Sequence, residues 1–265
     1  MPLRKDEAIV LFKRAFGESD KIIRLFTLKS GKIAAIAKGG SKSQKRFMNT
    51  LEPFNHINVE YFEKQEKGMV RLDNADIVET NCGIETSLKK ACTAGFFTEL
   101  VDRLTKERER HDELFQILKE VLQQVKRTEL TYMEILHHHL KMLETLGFMP
   151  NFTTCVYCGS RMDEEEKIYF SNERGGILCA SCSPSLPHRT YQTGVIETIL
   201  SFRRQRREID EMSLRVKEED ALYMEDTKTY RFFEREVQDI MEGFMSYHLD
   251  VEFRSYRLLK NFVLK

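Results

Sequence analysis

The sequence predicts an α+β multidomain protein: an N-terminal OB-fold β-barrel, then a helical domain with an inserted four-cysteine zinc ribbon. Three observations predict it. Short β-forming runs separated by turns fill the first 80 residues. From about residue 84 the apolar period changes to 3.6. Between Cys155 and Cys182, "CVYCGSRMDEEEKIYFSNERGGILCASC" sets two C-x-x-C pairs inside the helical pattern. The expected boundaries are 1–80 for the barrel and 81–265 for the helical domain, with the ribbon at 152–188.

The barrel strands come first. "EAIVLFKRAF" is one, and "KIIRLFTLKSGKIAAIAKGG" holds two around the turn "KSGK". "FNHINVEYFE" alternates apolar and polar residues, and "GMVRLDNADIVET" closes the set. The longest connection is "GGSKSQKRFMNT". Five short strands with a basic loop fit a small OB-type barrel.

Four helical stripes follow. Phe96, Phe97, Leu100, Val101 and Leu104 share one face, and Leu114, Ile117, Leu118, Val121, Leu122 and Val125 share the next. Leu136, Leu140, Leu143 and Leu146 form a third, stopped by Gly147 and Pro150. Phe233, Val237, Ile240, Met241, Phe244 and Met245 form the last. These are packing faces. Residues 203–226 are so charged that a solvated helix and a flexible loop are expected there.

Cys155-x2-Cys158 and Cys179-x2-Cys182 are metal ligands by spacing and chemistry. Each pair wraps one side of a tetrahedral ion, and thiolate sulfur favours zinc over hard cations; an iron–sulfur cluster is a minor alternative. Gly159 supplies a tight turn behind the first pair, and "KIYF" and "GGIL" read as a hairpin between the two. Four thiolates leave no open coordination position, so one structural Zn2+ is expected, supplying folding energy to a short segment. Cys82 and Cys92 read as ordinary loop or helix residues. His137, His138 and His139 project about 100° apart on a helix and cannot share one ion.

Lys plus Arg equals Asp plus Glu, 42 each, yet residues 1–50 hold twelve bases and four acids, a net of +8. Lys38, Lys42, Lys45 and Arg46 fall within nine residues, around Gly39, Gly40, Ser41 and Ser43. Arg14, Lys21, Arg24 and Lys32 on the strands could extend the patch. Phe47 is expected to anchor the loop rather than stack on a base. A basic patch on an OB-type barrel points to phosphates, bound through counterion release.

Several classes lack their signatures. There is no P-loop, no G-x-G-x-x-G, no H-E-x-x-H and no G-x-S-x-G, so no enzyme is expected. No apolar run of about 18 residues predicts a membrane span, and the N-terminus has no secretory pattern. The expected location is cytoplasmic, associated with the nucleoid.

The ordered set "GESDKIIRLFTLKSGKIAAIAKGGSKSQKRF", "LEPFNHINVEYF", "AGFFTELVDRLTKERERHDELFQIL", "LKMLETLGFMPNFTTCVYCG", "GGILCASC" and "YHLDVEFRSYRLL" resembles the RecO family of bacterial recombination and DNA-repair mediators. The family does not always keep all four cysteines; this chain does. The resemblance implies the same three-part fold and binding of single- and double-stranded DNA. It implies annealing of complementary strands, and partnership with RecR and with single-stranded-DNA-binding protein through its acidic tail. RecA would be loaded indirectly, with no covalent chemistry. By matching position, the DNA-binding residues would be Arg14, Arg24, Lys38, Lys42, Lys45 and Arg46. Two other readings compete: a protein-interaction scaffold without DNA binding, and a zinc-dependent nucleic-acid enzyme, which a closed four-thiolate site disfavours.

Overall fold

The computed structural model describes residues 2–43, 45–63, 68–162, 167–200, 227–249 and 253–262. The charged stretch 203–226 lies outside them. The chain forms two compact units, residues 1–148 with 253–265, and residues 149–252.

The first unit is built on a closed five-stranded barrel. Its strands are β1 (Leu3–Phe16), β2 (Asp20–Thr27), β3 (Gly31–Ala37), β4 (His56–Phe62) and β5 (Val70–Glu79), ordered β1-β2-β3-β5-β4. All pairings are antiparallel except β3 with β5. This is the OB-fold arrangement expected from the sequence. Alternate residues point inward, so Val10, Ile23, Leu25, Ile33, Ile57, Val59 and Leu72 fill the barrel. Phe47 is 2% exposed in the same core, an anchor rather than a free ring.

The outer face of β1 and β2 is partly covered by helices α1 (Leu88–Leu104) and α2 (Asp112–Arg127). Phe26 meets Phe115 of α2 at 6.0 Å between ring centroids. Lys119 and His56 both reach Glu7 of β1, at 3.3 and 2.6 Å. Helix α3 (Tyr132–Thr145) starts on a reciprocal capping box between Thr131 and Glu134, and it stops at Gly147, as its sequence signals require. The terminal helix, here α5 (Arg254–Phe262), returns to α1, where the Glu99 carboxylate accepts from the backbone N–H groups of Arg254 and Ser255.

The turn between β2 and β3 has little room. Gly31 has φ +67°, and a Cβ there would overlap the Glu109 backbone carbonyl. Gly31→Ala must therefore shift backbone as well as strain it. It is expected to lower the free energy of unfolding by about 2–4 kcal/mol, read as a reduced urea midpoint; an unchanged midpoint would show that the 105–111 loop yields freely.

In the second unit, β6 (Lys167–Ser171) pairs with β7 (Gly176–Leu178), the hairpin expected from "KIYF" and "GGIL". A third strand, β8 (Arg189–Gln192), adds to the other edge of β6. Helix α4 (Thr227–His248) supplies Asp239 to Arg189 and to the Tyr191 hydroxyl, the latter at 2.6 Å. His248 lies 2.6 Å from the Asn172 carbonyl oxygen, and Phe152 stacks on Phe170. Among the described residues, no helix is long and apolar enough to cross a membrane.

Candidate functional site

The four cysteines converge. Their sulfur atoms all lie within 4.8 Å of one another, and Cys158 Sγ is 3.7 Å from Cys179 Sγ. A tetrahedron with metal–sulfur bonds of 2.3 Å has edges of about 3.8 Å, so the cluster needs little contraction to close on an ion. Local backbone makes this happen. Cys155 is 2% exposed, its N–H donates to the Ser160 carbonyl, and its own carbonyl accepts from Gly159. On the other side, the Cys179 carbonyl accepts from Cys182 and Ser183. Gly176 lets β7 pass close to the first knuckle; a Cβ there would come within 2.5 Å of Val156 and 2.6 Å of the Asn151 carbonyl oxygen.

Electrostatics supports the same reading. Burial would raise Cys155, but backbone N–H groups of Cys158, Cys179 and Tyr157 outweigh it and hold the thiol down to about 6. Cys158 is also lowered, chiefly by the Ser160 hydroxyl. Cys182 is pushed up to about 12, first by its hydrogen bond to Cys179, then by burial and the neighbouring sulfurs. A cation at the centre of such a cluster would favour the thiolate form of all four sulfurs. The residues present can hold one metal ion with no coordination position left open.

In the barrel, six of the twelve N-terminal bases are neutralised by acids. Arg4 pairs with Glu63, Lys5 with Glu60, Lys13 with Glu52, Arg24 and Lys32 with Asp102, and Lys38 with Asp20. Four of those five acids lie beyond residue 50, which is why the net of +8 overstated the free charge. Lys32 leaves the surface altogether: it is 8% exposed, and its amine donates to the carbonyls of Asp102 and Thr105 at the C-terminus of α1. Burial lowers its pKa, with Asp102 opposing. A lysine there is favoured by the negative end of the helix dipole. Arg24 is half-buried over the Phe12 ring and on Asp102.

Arg14, Lys21, Lys29, Lys42, Lys45 and Arg46 have no ion-pair partner among the described residues. Lys29 lies in the β2–β3 turn. The other five gather where the β1–β2 turn meets the β3–β4 connection. The Ser41 N–H donates to the Ser19 carbonyl there, and Gly40 packs by Lys21. Arg46 donates to the Lys38 carbonyl and lies over Phe47, with centroid distance 4.9 Å. Asp20 holds both the Lys38 amine and the Gly39 N–H, and its carboxyl is lowered first by that amine. A cavity of about 610 Å³ opens nearby between β1, β2 and α1, but its rim charges pair with each other, Arg24 with Asp102 and Arg103 with Glu99. It offers no free charge to a phosphate.

The three consecutive histidines form no metal site. His138 Nε2 donates to Gln124 Oε1 at 2.8 Å, and His139 packs edge-on against Phe96 at 5.1 Å.

The family model described as Recombination protein O N terminal matches residues 1–81, and that described as Recombination protein O C terminal matches residues 85–257. The DNA repair protein RecO of Thermoanaerobacter sp. (strain X514) is 31% identical over 263 residues, 98% of each chain. That of Caldanaerobacter subterraneus subsp. tengcongensis is 29% identical over 266 residues, 100% of this chain and 99% of the relative. That of Koribacter versatilis is 32% identical over 179 residues, 68% of this chain and 72% of the relative. An OB-type barrel, a helical remainder and two matched family models together mean that this chain belongs to the RecO family of DNA repair and recombination proteins.

Proposed function

We propose that the chain is a non-enzymatic DNA-binding recombination mediator. It binds single- and double-stranded DNA through the basic end of the barrel and anneals complementary strands. With RecR it helps load RecA onto strands coated by single-stranded-DNA-binding protein. The observation that carries this reading is the group of five unpaired bases, Arg14, Lys21, Lys42, Lys45 and Arg46, at one end of an OB-type barrel. Loops and strand faces of such barrels bind oligonucleotides. Positive charge screens the phosphates of two strands and lets them approach; base pairing then selects the partner. Zinc holds the ribbon in shape and takes no part in chemistry.

The test is a salt series with a labelled single-stranded oligonucleotide. A variant with Lys38→Ala, Lys42→Ala, Lys45→Ala and Arg46→Ala is expected to bind more weakly. Its slope of log affinity on log salt is expected to flatten by about 2, at about 0.7 for each of the three unpaired bases removed. Equal slopes would remove the loop from the DNA path. No binding by the native protein at low salt would favour a protein-only scaffold.

A further inference from the structure

The outer face of the barrel carries two exposed phenylalanines that the charge argument does not use. Phe12 is 43% exposed, with the Arg24 guanidinium over one face of its ring, and Phe16 is 47% exposed. Beyond the register shift at Leu11 the pairing is regular, with Phe12 opposite Arg24, Arg14 opposite Ile22 and Phe16 opposite Asp20. Directly opposed residues share a face, and so do residues two apart on a strand. Phe12, Arg14 and Phe16 therefore stand in a row on the outer face. The two rings lie about 13 Å apart along the strand. Half-buried Ile36 of β3, paired with the buried Ile22 of β2, continues the apolar face beside them. The Ser19–Ser41 hydrogen bond brings the basic connection, with Lys42, to the Phe16 end of the row.

We propose that Phe16 and Phe12 are stacking platforms for unpaired bases of a single strand whose phosphates are held by Arg14 and Lys42. This rests on the DNA-binding reading and deepens it by assigning the preference for exposed bases to two named rings. An aromatic ring accepts any base, because every base has a π-face, whereas a duplex keeps its bases stacked inside. Free cationic side chains between and beside the rings match a strand with a charged backbone and apolar bases. Asp20, the acid closest to Phe16 in the pairing, is already engaged by Lys38 and Gly39.

The chain contains no tryptophan, so Phe16→Trp makes a single fluorescent reporter. Its emission is expected to be quenched by an oligo-dT strand. An abasic strand of equal length and charge should bind without quenching it. In the unlabelled protein, Phe12→Ala with Phe16→Ala is expected to weaken oligo-dT binding about 5- to 150-fold per lost stack, leaving the salt slope and the affinity for the abasic strand unchanged. Phe12→Leu with Phe16→Leu keeps the apolar bulk and should lose the same affinity, which separates stacking from folding. Equal oligo-dT affinity in native and variant proteins, with DNA binding intact, would overturn the stacking proposal alone. Loss of binding by the native protein to both strands at low salt would overturn the DNA reading beneath it.

Discussion

Removing the metal is expected to unfold the ribbon. The native chain should carry one equivalent of zinc, and a strong chelator, or Cys158→Ser with Cys182→Ser, should release it. Hydrogen-exchange protection should then collapse across β6, β7 and β8 while the barrel keeps its protection. Binding of zinc to a four-thiolate site is worth on the order of 10 kcal/mol in small modules. The buried apolar residues of the ribbon itself, Phe152, Ile168, Phe170, Ile177, Leu178 and Tyr191, are too few to replace that. Its strands are only three to five residues long, and modules this small lean on a metal or a disulfide for stability. Colourless protein with zinc by metal analysis is the expected result; visible absorbance from iron would identify a cluster instead. Full exchange protection after complete metal removal would show that the ribbon stands on packing alone. Because the four thiolates close the coordination shell, DNA binding by the barrel is expected to survive the loss.

The barrel and helices were legible because their patterns are local. The turn at Gly31, the helix stop at Gly147 and Pro150 and the stripe Leu114–Val125 each sit within a dozen residues of sequence. The cysteine site was legible because its chemistry and spacing are specific. Partners set by tertiary packing were not. The Arg24 and Lys32 pairs with Asp102 span about 70 to 80 residues, so no window of sequence reveals that both cations are spent on α1. The exposed rings were hidden for another reason. Residues Ala8 to Leu11 are buried on both faces, since helices cover the outside of the barrel there, and the register shift at Leu11 follows. Alternation read from "AIVLF" therefore cannot tell which side Phe12 takes. Strand β8 was missed because "RTYQ" is four residues long and becomes a strand only through its pairing with β6.

Acid is expected to destabilise the first unit well above the range where carboxylates protonate. His138 and His139 sit on α3, 6% and 3% exposed. The second ring nitrogen of His138, and Nε2 of His139, are buried without a partner. Burial holds His138 down to about 4, with His137 and Lys141 adding to the effect, and His139 down to about 3. His56 on β4 is lowered in the same direction by burial, against the pull of Glu7. Folded values below the unfolded value of about 6.5 mean that the unfolded chain binds more protons as pH falls. The stability these neutral rings permit is thus complete above pH 6.5 and is lost as pH falls toward the folded values. With the slope approaching about 1.4 kcal/mol per pH unit for each ring below pH 6.5, His138 and His139 together should cost about 3 kcal/mol between pH 6.5 and 5. Urea unfolding of the native chain should show that loss, and His138→Gln with His139→Met should remove most of it. Any metal held by the four cysteines would also be released in acid, as thiolates take up protons, but that acts on the second unit and equally in both proteins. The difference between their pH profiles therefore isolates the histidines. Parallel profiles would mean that the rings reach water on protonation, and that the acid sensitivity of this unit lies in His56 and the carboxylates around it.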